Sequence, residues 1–311
     1  KTFKVADKTT NTFELQDVDG NDINSSGYTA YSSAGVANRI YQITTSYTTA
    51  QLFDLKFAQS ADVMYICHPS HEASKLSRTG HTSWTLSEVD FAETGPYMDT
   101  NTTATTLTPA SSGTGTGVNI TASSTTGING GDGWQTTDVG RILKFNSGEA
   151  VITARTNTTV VVCTITKAFA NTDATAAFNL GSFSDTTGHP SVVTFFQQRL
   201  VFAGTSDQPQ TMFFSKSGDY ENMTAGTDAD DAMIYTIASN QVNAIKAMKA
   251  TRTLIVMTTG GEYAVSAGTA SAITPTNISI IKQSNYGSAG VDALSIGNAT
   301  IFLQRAKRKM R

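Results

Sequence analysis

The chain has 311 residues, enough for two or three domains, and a net charge of −3. Only 15% of its residues are charged, against about a quarter in ordinary globular domains, and Thr, Ser, Gly and Asn fill the difference. This balance excludes a globally basic nucleic-acid binder, and no apolar run approaches the roughly 18–20 residues that span a bilayer.

Residues 1–37 alternate around Phe3, Val5, Thr12–Leu15 and Tyr28–Tyr31, with a hairpin turn at Asp19-Gly20. They read as a small β-module. Asp17, Asp19, Asn21 and Asp22 fail the spacing of a calcium loop, because Gly20 comes two positions early and no Glu closes the site. They are expected to be turn acids.

Residues 38–98 read as the first part of a larger body. RIYQIT (Arg39–Thr44) is a predicted strand, and one or two helical turns over Ser46–Phe53 have Thr48 or Thr49 as N-cap. Strands follow at Leu55–Phe57, Asp62–Cys67, Lys75–Arg78 and Ser83–Phe91. His68 and His71, three apart around Pro69, suit a solvated loop better than zinc, since no fourth ligand is in view.

Residues 99–182 differ in composition. A nearly uncharged polar run, 99–117, is left open between ordered loop and low-complexity disorder. Strands then alternate over Val118–Thr121, Arg141–Phe145, Ala150–Ala154, Thr159–Ile165 and Ala177–Leu180, which predicts an inserted small β-barrel or sandwich domain. Trp134 is expected in its core, with sugar stacking as the other use of such a ring. Cys67 and Cys163 lie inside strand-like runs and read as buried small hydrophobes rather than a disulfide.

Residues 183–311 read as the second part of the body. Val192–Phe196, Arg199–Ala203 and Gln210–Phe214 form a β-meander, and an acidic loop containing Asp219, Glu221, Asp228, Asp230 and Asp231 leads to a strand over Ala232–Ile237. Ala244–Met248, Thr253–Met257 and Glu262–Ser266 repeat the meander around Gly260-Gly261. Ala293–Ile296 and Ala299–Gln304 begin another, followed by the basic tail QRAKRKMR. That tail suits phosphate contact, edge protection, or an acidic neighbour in an assembly, the last preferred because the remaining chain is acidic. The chain starts at Lys1 without Met and ends in a strand-like segment, so it is expected to be part of a longer protein.

Together with the strands of 55–91, these meanders make a small sheet unit repeated along the chain. Such units cannot bury both faces alone, so the expected fold is all-β, with a β-propeller-like body of repeated small antiparallel sheets. No nucleophile elbow, phosphate loop, paired CxxC or HExxH is present.

Three stretches resemble the tail tubular protein B family, the nozzle of short-tailed phages. They are FDLKFAQSADVMYICHPSHEASKLSRTGHTSWTLSEVDFAETGPY (Phe53–Tyr97), SDTTGHPSVVTFFQQRLVFAGTSDQPQTMFFSKSGDYENM (Ser184–Met223), and VNAIKAMKATRTLIVMTTGGEYAVSAG with ITPTNISIIKQSNYGS (Val242–Ser288). TFELQDVDGNDIN resembles a small β-module found inserted in that family. The resemblance implies a virion protein with no catalytic residues, cofactor or metal. It also implies a homo-oligomeric ring, a hexamer, that meets an upper tail-tube adaptor and tail fibres and passes phage DNA without specific binding. Asp228, Asp230 and Asp231 are then candidate channel-facing acids, since a neutral or acidic lumen lets the duplex slide. A carbohydrate-binding propeller using Trp84 and Trp134, or a glycosidase using Asp219, Asp230 and Asp231, are the rival readings.

Overall fold

The computed structural model describes residues 3–29, 41–270, 272–297 and 299–311. The chain divides into two compact units, Lys1–Gln42 and Ile43–Arg311. In the first, β1 (Lys4–Ala6) pairs antiparallel with β2 (Glu14–Gln16). The Asp19-Gly20 turn follows β2, and Asp17 Oδ1 accepts the Asp19 and Asn21 N–H groups, each at 2.9 Å. Those acids cap a turn, as their spacing implied. Ala30 and Tyr31 lie outside the described residues, as do Arg39 and Ile40 of the predicted strand; Tyr41–Thr44 carry no strand.

The second unit is all-β, built of several antiparallel sheets. The helical segment is a single short 3-10 turn, Thr49–Gln51, with Thr48 as its N-cap, and Gln51 Oε1 accepts the Thr48 N–H at 2.9 Å. The first four-stranded sheet is a meander of β3 (Lys56–Ser60), β4 (Val63–His68), β5 (His71–Gly80) and β6 (Ser83–Glu88).

Six strands follow: β7 (Leu107–Pro109), β8 (Gly115–Ala122), β9 (Ile142–Phe145), β10 (Gly148–Arg155), β11 (Val160–Lys167) and β12 (Phe178–Leu180), in the order β12-β9-β10-β11-β8-β7. The edges approach where Leu107 and Thr175 exchange backbone hydrogen bonds of 2.9 and 3.1 Å. The sheet therefore curls into a half-barrel around one core that holds Trp134 and Cys163, rather than forming a two-sheet sandwich. The polar run 99–117 is ordered: it contains β7, whose Leu107 is fully buried. One buried leucine among threonines gave too weak a signal to predict that strand.

The second four-stranded sheet comprises β13 (Val192–Phe196), β14 (Arg199–Ala203), β15 (Thr211–Phe214) and β16 (Met233–Thr236), and the third β17 (Ile245–Ala250), β18 (Leu254–Thr258), β19 (Gly261–Ser266) and β20 (Ser279–Ser284). The fourth strand of the second sheet is the one predicted after the acidic loop, whereas the third sheet has a fourth strand that was not expected. A hairpin, β21 (Leu294–Ile296) with β22 (Ala299–Ile301), ends the series.

Side-chain parity shows how these sheets stack. In the second sheet Val193, Leu200, Phe202 and Phe213 pack against Tyr65, Cys67 and Ala73 of the first. Their neighbours Val192, Val201, Ala203, Met212 and Phe214 pack against Leu254, Val256, Tyr263 and Val265 of the third. The opposite face of the third, Ala247 and Met257, meets Ala293 and Phe302. A bulge between Ile245 and Ala247 lets β17 serve both faces. β13 runs beside both β3 and β17. Lys56, on β3, donates to Gly290 O at 2.7 Å and pairs with Asp292 at 2.8 Å, at the entry to the terminal hairpin.

Candidate functional site

The acidic loop lies between β15 and β16. Its backbone is held by Arg199, a lone cation in the otherwise apolar RLVFA strand. The Arg199 side chain is buried and donates to Ser215 O (2.8 Å), Ala229 O (2.7 Å) and Asp231 O (2.6 Å). A buried guanidinium needs this many acceptors to offset its desolvation. The acids have separate tasks. Glu221 accepts from Lys75 at 2.6 Å and from Tyr65 Oη at 3.0 Å, tying the loop to the first sheet. Lys216 lies 3.2 Å from Asp230 and 3.4 Å from Asp231. Its ammonium holds the Asp230 carboxyl below the usual carboxylate range. Asp231 Oδ2 also caps the Asp228 N–H at 3.0 Å. Asp219 and Asp228 are exposed and make no ion pair among the described residues. Asp228, Asp230 and Asp231 therefore share one outward-facing loop, with Lys216 neutralising part of its charge.

A second feature was not visible in the sequence. A cavity of about 510 Å³ opens where the first sheet, the half-barrel and the lead into β13 meet, with walls from Phe91, Phe183, Ile142 and Val151. Glu72 and Glu88, from adjacent strands β5 and β6, stand at its rim with Asp90 and His189. Partial burial and the Glu88 carboxylate push the Glu72 carboxyl up to about 7. His189 Nε2 lies 2.9 Å from Asp185 Oδ1 across the same rim. Gly140 closes one side at φ +90°, and a Cβ there would stand 3.2 Å from Glu72 Oε1. These residues come from four separate stretches of chain, so no spacing rule would have joined them.

The remaining candidates have structural roles. His68 ends β4 and His71 begins β5, joined by a two-residue turn instead of the solvated loop expected. His68 is buried, accepts the Ser70 N–H at 3.1 Å, and packs with His71 and Tyr47, their ring centroids 5.1 and 6.5 Å away. Burial first, and His71 second, lower the His68 pKa. No group of three metal-ligating side chains occurs among the described residues. Trp134 is wholly buried in the half-barrel core, so it presents no face to a sugar. Trp84 lies under the Arg78 guanidinium at 5.8 Å and donates to His81 O. Cys67 and Cys163 are buried free thiols in different cores, and burial raises both pKa values, Cys163 to about 12. Among the described residues no helix is long and apolar enough to cross a membrane. Comparison with protein-family models finds none that matches this chain, and comparison with curated proteins finds no match.

Proposed function

We propose that the chain is a structural virion protein, a nozzle-type tail-tube subunit of a short-tailed phage. Its sheets form a β-propeller-like body, and identical copies close into a ring, six by resemblance, through which DNA leaves the particle. The observation that carries this reading is the stacking of the sheets. Three antiparallel meanders of four strands lie face to face in chain order, their first strands adjacent, which is how propeller blades pack. Lys56 ties the first sheet to the entry of the terminal hairpin and supports closure of the series. Two of the stretches that resemble the nozzle family contain the first and third sheets, and the remaining one contains the first three strands of the second. Residues 99–182 are read as an insertion between the first and second blades. The partners of the ring are an upper tail-tube adaptor and tail fibres, and its place is the phage tail.

Within that ring the acids Asp228, Asp230 and Asp231, the first two exposed and the third half-buried, face the channel or its mouth, where repeated like charges add around the axis. Sedimentation and negative-stain imaging of full-length protein test the assembly. A ring with a central hole, present in virions, is expected; a monomer at high concentration that is absent from particles rejects the reading. For the channel, Asp228→Lys with Asp230→Lys leaves Asp231 free to cap its loop. Slower DNA ejection is expected, most marked at low salt. Unchanged ejection from correctly assembled particles places the acids elsewhere.

A further inference from the structure

Two groups of charge that lack an ion-pair partner among the described residues are opposite in sign. Asp62, Asp138, Glu149, Glu221 and Asp292 each meet a Lys or Arg. Glu72 and Glu88 at the cavity rim meet none among the described residues. The opposite surplus is the tail. Phe302 and Arg311 exchange backbone hydrogen bonds of 3.0 and 2.9 Å, and Gln304 N donates to Lys309 O at 2.9 Å, folding the segment into a tight hairpin. Arg305 donates to Thr259 O and Arg311 lies over the Tyr286 ring. Lys307, Arg308 and Lys309 are left exposed at the hairpin tip.

The chemistry of the cavity suits long basic side chains as well as its charge does. The cavity has aromatic and aliphatic walls below a carboxyl rim. Long basic side chains bury their methylene stems on apolar surface while their charged heads seek anions. We propose that the cavity receives the 304–311 basic hairpin of a second copy of this chain, with Lys307 and Arg308 reaching Glu72 and Glu88. The two surfaces are different patches of one subunit, so the contact is heterologous and generates a ring when its rotation closes. This inference rests on the assembly reading and names its contact. A cation brought beside Glu72 favours its ionised form, so the raised carboxyl pKa releases a proton as the contact forms.

Sedimentation velocity of the full chain tests it, with two variants: Glu72→Gln with Glu88→Gln, and Lys307→Glu with Arg308→Glu and Lys309→Glu. Each is expected to weaken association by about tenfold or more at low salt while retaining cooperative unfolding. A mixture of Glu72→Lys/Glu88→Lys protein with the triple-Glu protein should regain it. If both variants associate like the unaltered chain, the inference is overturned while the ring reading stands. If the unaltered chain is monomeric, a peptide of residues 302–311 decides the inference, and imaging of the full-length protein decides the ring reading. Saturable binding that the Gln variant loses and a scrambled peptide lacks supports it; equal binding of both peptides rejects it.

Discussion

The second four-stranded sheet and the half-barrel solve the same problem in opposite ways. Every residue of β14 and β15 is buried, because neighbouring sheets cover both faces, and the strands read as unbroken apolar runs. In β11 burial alternates residue by residue along VVVCTITK, because the curled sheet has one core and one wet face. Continuous and alternating patterns thus report two-sided and one-sided burial, not just the presence of a strand. Their polar anchors differ too. The stacked sheet clamps a loop backbone with Arg199, whereas the half-barrel buries a full ion pair, Arg141–Asp138 at 3.0 Å, with Asn129 and Gly181 O as further acceptors.

Breaking each anchor or core should separate the two regions. Asp138→Ala leaves the Arg141 guanidinium buried without its counter-ion and should cost about 3–5 kcal/mol. Hydrogen exchange should show the loss confined to residues 99–182 if that segment folds by itself. Phe213→Ala opens a cavity against the ring cluster of Phe183 and Phe202 and should cost a similar 3–5 kcal/mol in denaturant titration. Thr164→Ala, on the wet face of β11, should stay within about 0.5 kcal/mol. A large effect there would mean that the wet face is covered. Excising 99–182 with a short Gly/Ser linker should leave a cooperative transition for the stacked sheets, at the expense of baring Phe91 and Phe183. Loss of cooperativity would make the half-barrel part of the main core.

Two smaller effects sharpen the contrast. Gln197 and Gln198 form the β13–β14 turn with φ of +47° and +59°, which matches the twist of a two-residue hairpin but strains a residue with a Cβ. Gln198→Gly should raise stability by about 0.5–1 kcal/mol; Gln197 is a poorer choice because its Oε1 accepts the Ile273 N–H at 2.7 Å. Glu72 sets a pH dependence. Its carboxyl is pushed up to about 7 in the folded chain, above the ordinary glutamate value of 4.5, so between those values the folded state holds the extra proton. Stability therefore falls as pH rises through that window and is level above it. Glu88, Asp90 and the Asp185–His189 pair face the same rim, and Glu72→Gln should flatten the slope without removing theirs. Unfolding midpoints from pH 4 to 8 check the sign.

Where a strand met either burial pattern strongly, its residues announced it, as in RLVFA, TMFF and TLIVM. β7 and β20 did not, because Leu107 is isolated among hydroxyls and SIIKQS is too exposed to look like a covered strand. The two-residue turn at Pro69-Ser70 was obscured for a different reason, since it lacks the glycine that such turns favour, whereas the turn at Gln197-Gln198 was bracketed by the two strands predicted on either side of it. The acids of the β15–β16 loop were visible as a cluster. Their division among Lys216, Lys75 and open solvent was not, since each partner was fixed by the sheet stack. The Glu72–Glu88 cavity needs residues from the first sheet, the half-barrel and the lead into β13, and could emerge only with the fold.

Lys56 and Asp292 meet across a sequence separation of 236. Closing a loop of that length in an unfolded chain costs on the order of 5 kcal/mol in entropy, more than one hydrogen-bonded charge pair returns. The contact therefore cannot nucleate anything. It is made after the intervening sheets have stacked and shortened the distance its ends must search. In a chain that emerges from the ribosome from its amino end, Lys56 waits while three sheets and a half-barrel are built. The clasp thus reports that the sheets between its two ends have already stacked.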